Sequence, residues 1–385
     1  MANNVDIVVL RQRRKRRRFL IRFIVFLVLV ALCVLIYMMR DSWFPQLEGI
    51  GSRYQNVTQN DNVEMEGDFS LNIYGGVDYH ADFVSNQLFL LCDKYLYIYG
   101  TDGKLRDSRQ HAYSNAVMKV SGSRALLYSS NGQNFRVDTP SKMLYEIETE
   151  QPIWFCEMNE KGYAAVVTES DTYACRLCIY DTTGKLIYTR DCVERLADVS
   201  FCGNGCVCST IGAVNGDLVT VQQYIPFDGA DVLWTTSELD TLVLSLHTLS
   251  DDGVFVIGDT KTAYYSSTGA LVNAYDFKGT LVDFAFKDDR AAVLLKNEER
   301  RQSTLLLYSD RSTPPVALEF DSICKYVIMD DQTAYLLGNG RIEGYSFTGE
   351  KVFTLEVDDS YDSILKNGKY FYLLGYDRIN RTGMN

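Results

Sequence analysis

One short apolar pattern recurs along this chain at nearly constant intervals, and it constrains the fold more than any other feature. The runs are LFLLCD from Leu88, ALLYSS from Ala125, AAVVTE from Ala164, CVCSTI from Cys206, VFVIGD from Val254, AAVLLK from Ala291, AYLLGN from Ala334 and FYLLGY from Phe371. Each sets about four apolar or small residues in succession and then turns at a polar residue or Gly. Runs without alternation suit strands covered on both faces. Their starts are 37, 39, 42, 48, 37, 43 and 37 residues apart. A period near forty built only of strands marks the blades of a propeller, whereas helical repeats need amphipathic helices, and no such pattern follows residue 40.

The rest of the unit repeats as well. A weaker apolar strand precedes each buried one (AVMKVSG, LADVSFCG, LVLSLHTL, LVDFAFKD, YVIMDD), and another follows it (YLYIYG, CRLCIYD, TAYYSS, TLLLYSD, RIEGYSF). Then come the turns TDGKL, TTGKL, STGAL and FTGEK, where Gly supplies the positive φ of a tight hairpin. An edge strand completes the unit, and acids at its end (Glu148, Glu150, Asp191, Asp276, Glu319, Glu356, Asp358) discourage edge-to-edge pairing. The fold class is therefore all-β, a propeller of four-stranded blades. Eight blades are counted, with seven as the alternative if the unit at 88 or at 370 is not a blade of its own. The eighth is a strand short, and DFSLNIYG, residues 68–75, is expected to close the ring by pairing with 362–385.

Ahead of the repeats, residues 19–39 (FLIRFIVFLVLVALCVLIYMM) carry one charge, Arg22, and are long enough for one transmembrane helix. Phe19, Phe23, Phe26, Leu29, Leu32, Leu35 and Met39 would face lipid, and Arg22 would reach back to the headgroups. No small-x-small cleavage pattern follows, so an uncleaved anchor is expected. Residues 1–39 hold eight basic residues and one acid, so subtraction from 38 and 50 leaves 30 basic and 49 acidic residues beyond them, +7 against −19. Arg11, Arg13, Arg14, Lys15, Arg16, Arg17 and Arg18 place the N-terminus inside the cell and everything past residue 40 outside. The division is then a basic cytoplasmic tail over 1–18, the span over 19–39, a juxtamembrane linker over 40–62 and an extracytoplasmic propeller over 63–385. So acidic a body repels phosphate backbones, which excludes nucleic acid as a partner.

The hairpins YGTDGKL, YDTTGKL, YSSTGAL and YSFTGEK resemble those of the quinoprotein-like and WD-repeat-like propeller superfamily. The layout also resembles an uncharacterised bacterial family, Gram-positive and clostridial in type, of single-span membrane-anchored propellers. That resemblance implies the same topology and brings no functional residues with it. The Trp-Asp strand ends of WD repeats and the regular tryptophans of quinoprotein blades are missing here.

Chemistry is sparse in the sequence. Six of the ten cysteines fall in 175–208, and Cys175-x-x-Cys178 with Cys202-x-x-x-Cys206-x-Cys208 has the look of a zinc site. Residues three apart on a strand face opposite ways, so Cys175 and Cys178 should diverge. Buried small side chains are the leading reading, with a Cys192–Cys202 disulfide and a metal site as alternatives. There are three His and no nucleophile, phosphate-loop or metalloprotease motif, and no cofactor is expected. A ligand surface is expected where second-to-third-strand loops and blade-to-blade connections gather on one face. The candidate segments are Ser129–Gln133, Glu169–Thr172, Ser209–Asp217 and Asn297–Ser303, with Asn131, Glu169, Asp171, Arg300 and Arg301 as candidate binding residues. The function expected is a non-enzymatic binding or scaffold module for a protein, a peptide or a cell-wall glycan. The alternative is an exported propeller enzyme, either a quinone-dependent oxidoreductase or a polysaccharide hydrolase or lyase.

Overall fold

The computed structural model describes residues 69–73, 78–229 and 231–384. The expected tail, span and linker over 1–62 lie outside the described residues. Among the described residues no helix is long and apolar enough to cross a membrane.

The described chain forms eight antiparallel sheets of four strands, taken in chain order as blades 1 to 8. Each starts with an inner strand, such as Ile153–Met158 in blade 3, and passes through a fully buried second strand, such as Ala164–Thr168. The recurrent run read from the sequence is this second strand. Every residue of Ala164–Thr168 and of Val254–Gly258 is buried, whereas the outer strands Leu105–Gln110 and Leu271–Asp276 alternate between exposed and half-buried. The seven acids expected on the outer rim are all exposed.

Eight hydrophobic cores separate the blades, one per neighbouring pair. Phe89, Leu96 and Ile98 of blade 1 meet Met118 and Leu127 of blade 2 in one core, and Tyr335 and Ile342 of blade 7 meet Ile364 and Phe371 of blade 8 in another. The series returns on itself, because Leu88 and Leu90 of blade 1 pack with Tyr372, Leu374 and Ile379 of blade 8. A ring of eight blades is settled by this closure, and the count of seven is set aside. Blade 8 obtains its outer strand from the other end of the chain: Ser70–Asn72 pairs antiparallel with Arg378–Gly383 in the register Ser70↔Asn380, Leu71↔Ile379, Asn72↔Arg378. The closing segment is the one expected from the sequence. It removes two free sheet edges and ties both ends of the propeller together.

The hairpin glycines do two jobs. Gly103, Gly184, Gly269 and Gly349 have φ of 74, 84, 78 and 89°. A Cβ on Gly184 would sit 2.7 Å from the Tyr145 ring, and one on Gly269 would sit 2.6 Å from Trp234, each an aromatic of the preceding blade. The turn thus needs Gly for its backbone and for the blade-to-blade fit.

The cysteine cluster disperses as the strand geometry requires. Cys175 lies in the core between blades 3 and 4, and Cys178 lies in the core between blades 2 and 3. The disulfide and zinc alternatives fail. All nine cysteines among the described residues are free, Cys192 and Cys202 occupy different cores, and no three metal-ligating side chains converge among the described residues.

Candidate functional site

Inner strands of blades 3 to 8 share a local irregularity. Near the start of each, one residue has no partner on the second strand. In blade 3, Ile153 pairs with Thr168 and Phe155 with Val167, which leaves Trp154 extra. By the same count the extra residues are Ala197, Leu244, Val282, Lys325 and Asp362. A bulge of this kind bends the strand and re-aims a side chain. These bulges lie at the end of the blades where the second-to-third-strand loops and blade connections gather.

In three successive blades the re-aimed residues are apolar, and they line one groove. Trp154, Ala197 and Leu244 share it with Leu196, Ile211, Leu242 and Val243, around a volume of about 530 Å³. Leu244 is 45% exposed, unusual for a leucine in an inner strand. The tryptophan is held on two sides. The Arg195 guanidinium lies 4.1 Å from its ring centroid, and its indole N–H donates to Glu169 Oε1 at 3.4 Å. A cation over an exposed indole face contributes about 0.5–1 kcal/mol, enough to fix the ring orientation. Asn131 forms the blade 2 side of the groove. Its φ of 60° is a left-handed turn conformation that Asn tolerates, and its N–H donates to Ile153 O at 2.8 Å, which anchors the loop to blade 3.

Of the candidates read from the sequence, Asn131 and Glu169 therefore come together. Asp171 stands two residues beyond Glu169 and accepts from Gln151 Nε2 at 2.9 Å. Arg300 and Arg301 do not join them: they form the exposed hairpin of blade 6, where Arg300 N–H donates to Asn297 Oδ1 at 3.1 Å. Ser209–Asp217 is not a loop either. Strand continues through Gly205–Val214 and resumes at Asp217, leaving a two-residue turn. Trp154 and Arg195 were missed by the sequence reading. The one signal for them was an indole beside a phenylalanine, IWFC, in a strand whose neighbours alternate.

Deeper along the inner strands, polar groups stitch the blades together. Lys119 of blade 2 reaches Glu157 of blade 3 at 2.6 Å. Asp198, just after the bulged Ala197, accepts from Leu246 N of blade 5 at 2.7 Å, and Asp283, just after the bulged Val282, accepts from Val327 N of blade 7 at 2.9 Å. Burial, then the Glu157 charge, push Asp198 up to about 7, and burial raises Asp283 to about 6. Each of these carboxylates is already engaged with a neighbouring blade, which marks them as structural.

A second concave region lies on the same face around the start of blade 1, between blade 2 on one side and blades 7 and 8 on the other. Its two hollows, of about 510 and 240 Å³, share Asp78, Tyr79 and His80. Tyr79 donates to Gly375 O at 2.6 Å.

Comparison with known proteins agrees with this architecture. BamB from Moraxella catarrhalis aligns at 8% identity over 81% of this chain and 97% of its own, with a TM-score of 0.52. Sqt1 from Saccharomyces cerevisiae aligns at 10% identity over 82% of this chain and 94% of its own, with a TM-score of 0.55. A eukaryotic initiation factor aligns at 11% identity over 76% of this chain and 80% of its own, with a TM-score of 0.54. At such identities the likeness is one of fold. No curated protein matches the sequence. Residues 56–381 match throughout the family of unknown function DUF5711, and the chain belongs to that family.

Proposed function

We propose that this protein is a membrane-anchored binding propeller whose groove across blades 3 to 5 captures a protein or peptide partner outside the cell. The observation that carries the reading is a half-buried Trp154 in blade 3 and an exposed Leu244 in blade 5 that share one concave hollow, with the tryptophan fixed by Arg195 and Glu169. An oriented aromatic in an apolar hollow with a polar rim is the usual makeup of an interface anchor. The anchoring part of the proposal rests on the apolar segment 19–39 behind its basic flank.

Two experiments test it. A photocrosslinking amino acid at position 244 of the full chain, in host membranes, is expected to form a discrete adduct that the same probe at Val352 does not form. Val352 is somewhat more exposed than Leu244 but lies at the other end of blade 7. Adducts from both positions alike, or from neither, refute the groove. Protease added to intact cells is expected to digest the propeller, and full protection would refute the topology.

A further inference from the structure

Blade 4 departs from the other seven beside this groove. Its second and third strands, Gly205–Val214 and Asp217–Pro226, have ten residues each, against five to eight in every other blade. Pairing to the inner strand stops at Arg195↔Ile211, so the two long strands continue as a free arm. The arm closes at Val214↔Asp217 through Asn215 and Gly216, whose φ are 56 and 96°. With about 3.4 Å per residue, three residues carry it about 10 Å past the inner strand.

Strand parity shows which backbone groups the arm leaves open. On its outer side Thr220 and Leu239 exchange two backbone hydrogen bonds, N–H to O in each direction, both at 2.8 Å. Thr220 therefore directs its N–H and C=O away from the second strand, and its opposite residue Ile211 directs its own to the inner side, toward Arg195. Two positions on, Ala213 must do the same, and among the described residues no strand lies opposite it. Gly212 and Ala213 are both exposed and have almost no side chain, so another backbone has room to approach. Below this open rung lies the groove, of which Ile211 is already a wall.

The rim is acidic. Glu169 lines the groove, Asp171 follows it by two residues, and Glu194 directly precedes Arg195. Lys261, the nearby cation of blade 5, is taken up by Asp240 at 2.6 Å and Asp276 at 3.0 Å.

From this juxtaposition we infer that the groove takes an extended peptide segment in which Lys or Arg alternates with aromatic or aliphatic residues. The inference deepens the binding role proposed above and rests on it. The segment's backbone pairs with the Ala213 peptide group. Alternate side chains then point down against Trp154 and Leu244, and the intervening cations point up to Glu169, Asp171 and Glu194.

The test uses bead-displayed random octapeptides, panned against the full chain in nanodiscs of neutral lipid. The expected result is enrichment of peptides that alternate cationic and apolar residues. Their affinity should fall at least tenfold for Trp154→Ala, and similarly for Ala213→Pro, which removes the N–H of the open rung. It should fall several-fold for the surface pair Glu169→Gln with Glu194→Gln, and about tenfold between 50 and 500 mM salt. Leu218→Ser, on the outer side of the arm, should bind as the parent does. No enrichment, enrichment of acidic peptides, or indifference to both Trp154→Ala and the Glu pair overturns the inference. If position 244 crosslinks a folded protein while no peptide is enriched, the inference fails and the binding role stands. If neither occurs, both fail.

Discussion

The groove over blades 3 to 5 and the seam where blade 8 meets blade 1 share one face and one construction, yet they present opposite chemistry. In both, a bulge near the start of the inner strand turns a side chain toward that face. Blades 3, 4 and 5 place Trp154, Ala197 and Leu244 there, whereas blades 7 and 8 place Lys325 and Asp362, which lie 4.0 Å apart. At the seam, polar groups are engaged within the molecule. Tyr79 bonds Gly375 O, and Arg381 reaches Thr101 O at 2.5 Å, across the join of the two chain ends. In the groove, Leu244 is exposed, and Trp154, Ala197 and Ile211 are half-buried. A bulge alone thus carries no function, and the residue placed on it decides between closing the ring and offering a surface.

This contrast makes a set of graded predictions. The largest effect belongs to the seam. Ile379 is fully buried beneath the closing strand, so Ile379→Asp puts a carboxylate in an apolar core and opens the join. A loss of about 4 kcal/mol or more is expected in urea denaturation, while Leu244→Asp in the groove changes stability by less than about 0.5 kcal/mol. Equal losses would erase the distinction between the two regions.

Next come the hairpin glycines. Gly269→Ala meets both a positive φ and Trp234, so a loss of about 2–3 kcal/mol is expected. Gly216→Ala, at the tip of the arm with nothing within 4 Å of its Cβ, should lose only about 1 kcal/mol for the backbone conformation. Thermal unfolding of the two variants separates packing from conformation.

A pH-dependent effect follows in size. Asp198 holds its proton in the folded state up to about 7, well above the ordinary carboxylate range. Between those two values the folded state binds more protons than the unfolded one. The stabilisation from this group is therefore full at low pH and is lost as pH rises through about 7. Asp198→Asn keeps an acceptor for Leu246 N–H and removes the titration. The parent protein is expected to lose on the order of 2 kcal/mol more than this variant between pH 5.5 and 8.5. Parallel pH profiles would show that the carboxyl is ionised without cost.

The smallest effect is kinetic. Cys92, at the seam, is half-buried and the other described thiols are buried, so a maleimide should label Cys92 first, well before the cysteines between blades 3 and 4. Mass spectrometry after timed labelling gives the order, and early labelling of Cys175 or Cys206 would contradict the packing of that core.

Much of this architecture is legible in the residues. The doubly buried second strands repeat because every blade is covered on both faces, so the runs at Leu88, Ala164 or Phe371 need no partner information to be read as strands. The turns at Gly103, Gly184, Gly269 and Gly349 are legible because only Gly meets both the φ and the space available. The closing strand at Ser70–Asn72 was legible because the last blade lacked one. The candidate site was half legible. Asn131 and Glu169 sit on loops whose position follows from blade order, while Arg300 and Arg301 stood out by charge and lie on blade 6, outside the groove.

What the sequence by itself determined, then, is whatever depends on local period and composition: strands, turns, the four-stranded blade and the acidic outer edge. Only the tertiary structure decided which blades carry a bulge, how far the arm of blade 4 runs past its neighbour, and that Trp154, Ala197, Leu244 and Arg195 face one hollow. The physical reason is that a bulge is a mismatch of register between two strands, and neither strand contains that information alone. A groove across three blades, likewise, is a relation among residues about ninety positions apart in sequence, and only the closed ring makes them neighbours.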